Sequence, residues 1–240
     1  MNWKVHLDSM DEWQTIFEQV KSITQRTQPL QQSLKQIITF ARSNPALFDE
    51  PEYWDQAQRH DFRYSFAALT EWARQGAEAL APETGWQFLL LDLGDCPESF
   101  RLYSPGGQKQ MSEQRFRSTL SSHLIVGTSH LEGCFGPEVL YPFGQLFGDE
   151  QIEVSDHHVS ELDDRLLDWT GDENTEFHGQ NGYLLWLMLG SLALVEPFRD
   201  KSYCDRILKG RDKLYLLPGY EEIFFHAATV TSEGISYEVS

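Results

Sequence analysis

Apolar residues in the first third of the chain recur at steps of three and four, the spacing that is typical of amphipathic helices. Three stretches show it: residues 9–24, residues 29–44 and residues 61–80. Pro29 suits the first position of a helix, and the residue before Pro45 is disfavoured in a helical conformation, which ends the second stretch. The pattern therefore predicts a helical N-terminal third.

After Gly85 the pattern changes to dense apolar runs separated by turn-forming residues, which indicates strands. Residues 86–93 and 99–103 are predicted to form a hairpin, and Ser232-Glu233-Gly234 is a natural hairpin turn near the C-terminus. The remaining predicted elements are helices at residues 112–122, 155–169 and 203–208, and strands at residues 124–127, 214–217, 222–230 and 235–239.

The most apolar segment, Gly182 to Val195, is predicted to be a buried central helix. Its fourteen residues would rise about 21 Å as a helix, short of the roughly 30 Å of a membrane core. Asn181 is a plausible N-cap, and Pro197 is expected to stop the helix.

Together these elements predict an α+β fold, in which a helical N-terminal third is followed by antiparallel strands packed with the buried central helix. Residues 1–240 contain no internal repeat and no Ser-rich or Pro-rich linker. We therefore expect a single domain, with a helical part at residues 1–82 and a mixed part at residues 83–240. The glycine-rich stretch 128–149 is either a functional loop or a structural crossover.

Acidic residues are concentrated in one part of the chain. The net charge is −18, and residues 132–176 contribute −12 of it, with thirteen Asp or Glu against the single Arg165. This excess disfavours direct binding to nucleic acid or to anionic membranes, since it repels phosphate groups. The pattern favours an acidic protein that binds a basic protein partner.

The leading interpretation is a non-enzymatic binding protein whose acidic surface engages that partner, for instance as an inhibitor of the immunity-protein type against a toxin or nuclease. Small acidic inhibitors of this kind are similar to the chain in composition only. The predicted contact residues are acids around the 155–169 helix and aromatic residues of the glycine-rich stretch, which would act as anchors. They are Glu153, Asp156, Glu161, Asp164, Asp168, Tyr141 and Phe143. The pair Tyr53 and Trp54 is a further candidate anchor, although each aromatic residue suits the core at least as well.

The alternative is a metal-dependent hydrolase. His157 and Glu161 lie one helical turn apart on the predicted 155–169 helix, and imidazole and carboxylate groups at that spacing can bind a divalent cation. A solvent-facing polar stripe explains the same spacing. No nucleophile elbow, phosphate-binding loop or zinc-protease motif is found, so the sequence favours a role without catalysis and predicts no cofactor.

The other polar candidates have structural explanations. Asp92 and Asp95 flank a turn, and His226 lies in an apolar run, where a hydrogen-bonded core histidine is expected. Three widely separated cysteines predict reduced thiols and no disulfide framework. The N-terminal residues resemble no standard signal peptide, and a cytoplasmic location is expected.

Overall fold

A computed structural model describes residues 10–48, 51–80, 87–93, 100–103, 112–122, 126–127, 139–140, 179–220 and 223–237. Over these ranges the chain is an α+β protein, as predicted. The helices are α1 (Met10–Thr24), α2 (Leu30–Ser43), α3 (Pro51–Arg59), α4 (Arg63–Leu80), α5 (Glu113–Ser122), α6 (Gly179–Val195) and α7 (Lys201–Leu208), with a 3₁₀ turn at Glu196–Arg199 before α7.

The strands of the described residues form one mixed sheet. They are β1 (Gln87–Leu93), β2 (Phe100–Tyr103), β3 (Val126–Gly127), β4 (Val139–Leu140), β5 (Lys213–Tyr220), β6 (Ile223–Phe224), β7 (Ala228–Thr231) and β8 (Gly234–Ser236). The hydrogen-bonded order is β3, β6, β5, β1, β2, β4, while β7 also pairs with β5 and carries β8 at its far side.

The N-terminal helices follow the predicted apolar spacing. Ile16, Phe17, Val20 and Ile23 are buried along α1, and α2 buries a matching stripe that includes Ile37. Helix α3 was not predicted. Its nine residues bury only Tyr53, Trp54 and Ala57, too few positions to establish a period.

Helix α6 is the buried central helix that the sequence predicts, with both of its sides in the core. It contacts α1 and α4 on one side and the strands β1 and β5 on the other. The helix begins at Gly179, so Asn181 lies inside it and the prediction of Asn181 as the N-cap is wrong. Among the helices that the structure describes, none is long and apolar enough to cross a membrane.

The expectation of antiparallel strands is wrong at the centre of the sheet. Strands β1 and β5 are parallel, with Phe88 opposite Tyr215 and Leu89 opposite Leu216. Leu89 and Leu216 belong to the core cluster that contains α6, whereas Phe88 and Tyr215 pack against Phe116 of α5, at ring-centroid distances of 4.8 Å from Phe88 and 5.2 Å from Tyr215. Helices cover both faces of this pair, the usual setting of parallel strands.

The predicted strand 222–230 is interrupted by a β-bulge. Gly219 lies opposite Phe224 and Leu216 lies opposite Ala228, so two residues of β5 face the three residues 225–227. One of those two is Pro218, which has no N–H to donate, and proline within sheets is found at such irregular pairings. The bulge separates β6 from β7 and places His226 at its centre.

One hydrophobic cluster joins the N-terminal helices, α6, α7 and the inner face of the sheet. The tilted ring pair Phe17 and Phe225, 4.9 Å apart, ties α1 to the bulge. Tyr203 of α7 donates a hydrogen bond to the Arg74 carbonyl at 2.7 Å, which ties α7 to α4. The N-terminal helices therefore share their core with the sheet.

Candidate functional site

The predicted acidic site lies outside the residues that the structure describes. This applies to the whole set of partner-contact and metal-ligand predictions, and to Asp95. The set comprises Tyr141, Phe143, Glu153, Asp156, His157, Glu161, Asp164 and Asp168. Within the described residues, Tyr53 and Trp54 are 6% and 0% exposed, so these two aromatic residues belong to the core and are not surface anchors.

The excess of acid is concentrated in residues 132–176, which we call the acid-rich segment. Its net charge is −12, whereas the other 195 residues of the chain together have a net charge of −6. Most of the excess acid therefore lies outside the residues that the structure describes. Within the described part, the positive charge is itself unevenly placed.

An open groove of about 650 Å³ runs between α1 and α2. We call it the α1–α2 groove. Among the described residues, its lining combines two cations, three carboxamides, two hydroxyl groups and one aromatic ring, and includes no carboxylate. The lining residues are Gln19, Arg26, Gln32, Lys35, Gln36, Thr39, Phe40 and Ser43.

The groove belongs to a stretch of sequence without acids. Residues 19–48 contain four Lys or Arg and no Asp or Glu. Arg42 is paired with Asp55 of α3, whereas neither Arg26 nor Lys35 forms an ion pair with another described residue. The two cations that line the groove are exposed, and their charges are not neutralised within the described structure.

Neutral groups orient the Arg26 guanidinium. Nη2 donates to Ser22 Oγ at 3.2 Å and Nη1 donates to Gln36 Oε1 at 3.4 Å. The backbone of Arg26 is held as well, because its carbonyl accepts a hydrogen bond from Arg199 Nη2 at 3.3 Å. Gln28 exchanges amide hydrogen bonds with Gln36 at 3.1 and 3.2 Å, which fixes the side chain that contacts the guanidinium. The groove thus presents an ordered arginine without a carboxylate.

The first turn of α2 adds to the positive potential at the same end. It contains no acidic residue, and Pro29 at the N-cap offers no side-chain acceptor for the helix. The N-terminal end of a helix carries a partial positive charge from its aligned peptide dipoles. Gln32, in that turn, lines the groove near Arg26 and Lys35.

A second polar cluster joins α4 to α7, and there the charges are paired. Arg74 donates to both carboxylate oxygens of Glu71 at 2.6 and 2.7 Å and to Glu78 at 2.8 Å. Arg206 reaches Glu78 at 3.0 Å and lies over the ring of Tyr203. The hydrogen bonds from Arg74 lower the pKa of Glu71. This network, with its charges matched, fits a structural connection between two helices.

His226 is a core histidine, as predicted. It is 4% exposed, and its Nε2 lies 3.1 Å from Thr229 Oγ1. Burial, and next the positive charge of Lys21, lower the pKa of His226 to about 4. The histidine is therefore neutral near pH 7, held at the bulge beside Tyr215.

Tyr215 is linked to the surface through Glu113 of α5. Its hydroxyl donates to Glu113 Oε1 at 2.9 Å, and Lys213 Nζ lies 3.4 Å from the same oxygen. Burial and the contact with Glu113 raise the pKa of Tyr215. The cluster joins α5 to β5 with its charges satisfied, which suits a structural role.

The described residues contain no group of three or more His, Cys, Asp or Glu side chains that could hold a metal ion. Comparison with known proteins finds no matching family model, no matching curated protein and no matching solved structure. Any functional conclusion therefore rests on the residues of this chain.

The α1–α2 groove was missed by sequence reasoning, although a signal was present. The signal is an absence: no acid occurs over residues 19–48 of a strongly acidic chain. The two cations of the groove come from different segments, Arg26 from the turn after α1 and Lys35 from α2. Their proximity becomes visible only when the two helices lie side by side.

Proposed function

We propose that the protein is a non-enzymatic binding protein that uses the acid-rich segment, residues 132–176, to engage a basic protein partner. The observation that carries the proposal is the charge distribution. Residues 132–176 have a net charge of −12, while the other 195 residues of the chain together have a net charge of −6. Acid spread evenly for solubility would give these 45 residues a net charge of only about −3.

Such a segment would act first on the rate of association. A locally concentrated charge attracts an oppositely charged partner over distances of about one Debye length, which is close to 8 Å at physiological ionic strength. Steering of this kind raises association rates and weakens as salt is added. Aromatic side chains next to the acids, Tyr141 and Phe143, are proposed as the anchors that supply short-range affinity.

The chemistry of the partner follows from the same charge. A protein rich in exposed Lys and Arg, such as a cationic toxin or nuclease, would be matched by the acid-rich segment, and an inhibitor of the immunity type would use it to cover the partner's basic surface.

The proposal is tested by affinity capture with two matched variants. The first variant changes Glu153, Asp156, Glu161, Asp164 and Asp168 to Lys. The control changes five exposed acids of the described framework to Lys, so both variants have the same net charge; these acids are Glu18, Glu52, Asp205, Asp212 and Glu233. Each variant and the unchanged protein serve as bait in an extract of the native cell, at low and at moderate salt.

We expect a basic protein to be recovered by the unchanged protein and by the control, and to be lost with the first variant and at moderate salt. Equal loss with both variants would show that net charge alone is responsible and would contradict the proposal. A thermal shift with Zn²⁺ that His157→Ala abolishes would favour the metal-dependent hydrolase instead.

A further inference from the structure

We propose that the α1–α2 groove is a second binding site, which takes an extended acidic peptide segment of a partner protein. The inference is independent of the proposed function, because it concerns a different surface with the opposite charge. It rests on the lining of the groove, on the partners of its two cations and on their position relative to Phe40.

The charge of the groove selects an anionic occupant. Arg26 and Lys35 line it, no carboxylate of a described residue does, and residues 19–48 as a whole contain no acid. Because Arg26 is held by the hydroxyl of Ser22 and the carboxamide of Gln36, its charge is available to an incoming carboxylate. Charge-assisted hydrogen bonds from guanidinium to carboxylate are about twice as strong as neutral ones.

The other lining groups suit a peptide backbone. The carboxamides of Gln19 and Gln32 offer both donors and acceptors, which match the alternating N–H and C=O groups of an extended chain. Thr39 and Ser43 add hydroxyl oxygens that can accept, since their O–H groups already donate to backbone carbonyls of α2. A small inorganic anion would use the two cations and leave these groups without a role.

The positions of the cations and of Phe40 along the groove fix the spacing between the acidic and the apolar residues of a bound peptide. Along α2, Lys35 and the half-buried Phe40 are five residues apart, or about 7.5 Å of helix. An extended peptide covers that distance in about two residues. We therefore expect acidic residues at the end near Arg26 and Lys35, and an apolar residue about two positions away, against Phe40.

The probe is a fluorescently labelled peptide that has two glutamates at one end and a phenylalanine two positions from the second glutamate. Its controls are a peptide with lysines in place of the glutamates and a peptide with alanine in place of the phenylalanine. Fluorescence anisotropy at moderate salt measures the binding of each peptide to the full chain.

The protein variant is the double substitution Arg26→Gln and Lys35→Gln. The matched control is Lys201→Gln with Lys209→Gln, which removes the same charge from exposed positions of α7 and its C-terminal cap. All four positions are exposed, and circular dichroism and thermal melting confirm that each variant is folded.

We expect the acidic peptide to bind the unchanged protein and the control equally, and the groove variant at least about tenfold more weakly, since two charge-assisted contacts are lost. The alanine peptide should bind more weakly, and the lysine peptide should not bind. Absence of binding, or equal loss with both variants, would overturn the proposal. Displacement of the peptide by inorganic phosphate at equal concentration would also overturn it, because it would indicate a simple anion site.

Discussion

Arginine side chains have opposite surroundings in the α1–α2 groove and in the polar cluster that joins α4 to α7, which we call the α4–α7 network. In the network, Arg74 contacts two carboxylates, and Arg206 shares one of them. In the groove, Arg26 contacts a hydroxyl and a carboxamide. The guanidinium groups of Arg74 and Arg26 both form hydrogen bonds, but of these two only Arg74 contacts carboxylates of described residues. The difference indicates that the network holds helices together, whereas the groove keeps its charge available for another molecule.

Unlike the two arginines, His226 is an ionisable group that the fold keeps neutral. Its pKa is lowered from 6.5 to about 4, so the folded state resists protonation and the unfolded state does not. As pH falls from 6.5 to about 4, this difference should remove about 3 kcal/mol of stability. It is the largest effect that we predict.

The measurement is urea unfolding as a function of pH for the protein and for His226→Gln. We expect the loss between pH 6.5 and about 4 to be much smaller in the variant. The pKa of Glu71 lies below its ordinary 4.5, so the network should weaken only at lower pH. Identical pH profiles for the two proteins would show that His226 is not held neutral.

The hydrogen-bond partner of His226 gives the next effect. Thr229→Val removes the hydroxyl that lies 3.1 Å from Nε2 and keeps the side-chain shape. A buried imidazole nitrogen without a partner costs about 1 to 3 kcal/mol. Thermal or urea unfolding at neutral pH measures the loss, and the control is Thr27→Val, at an exposed position where the hydroxyl forms no hydrogen bond with another described residue.

The sequence predicts much of the framework that carries these groups. The apolar spacing identified α1, α2 and α4, and the unbroken apolar run identified α6 as a buried helix. The parallel pairing of β1 with β5 was missed, although both strands have the nearly continuous apolar runs, Phe88–Leu91 and Leu214–Leu217, that doubly covered strands require. Pairing between distant strands is decided by packing, which the local pattern does not contain.

The acid-rich segment and the α1–α2 groove also differ in how far the sequence alone reveals them. The acid-rich segment is a local property of composition and is visible in the sequence alone. The groove depends on two helices coming together, and its cations are separated by nine positions. The bulge at 225–227 lies opposite Pro218, which belongs to another strand, so the periodicity of residues 222–230 could not reveal it.

Replacing each of the two arginines by glutamine tests the difference between the α4–α7 network and the α1–α2 groove. Arg74→Gln removes the centre of the network and leaves Glu71 and Glu78 facing each other without their shared cation. Arg74 is 34% exposed, so solvent reduces the effect, and we expect a loss of about 1 kcal/mol. Chemical denaturation provides the measurement, and a loss that shrinks with added salt would identify its electrostatic part.

Arg26→Gln should have the smallest effect on stability, less than about 0.5 kcal/mol, since it breaks only exposed contacts to neutral groups. The same denaturation experiment compares it with Arg74→Gln. If Arg26→Gln destabilised the protein as much as Arg74→Gln, the groove would be a structural contact, and its role as a binding surface would lose its basis.

The acid-rich segment is proposed to bind the basic partner directly. Hydrogen exchange with mass spectrometry, on the full chain with and without a polylysine peptide, locates the contact. We expect protection within residues 132–176 that disappears at high salt, with no protection in residues 19–48. Protection that falls mainly on the framework, or binding without any change in residues 132–176, would contradict the proposal.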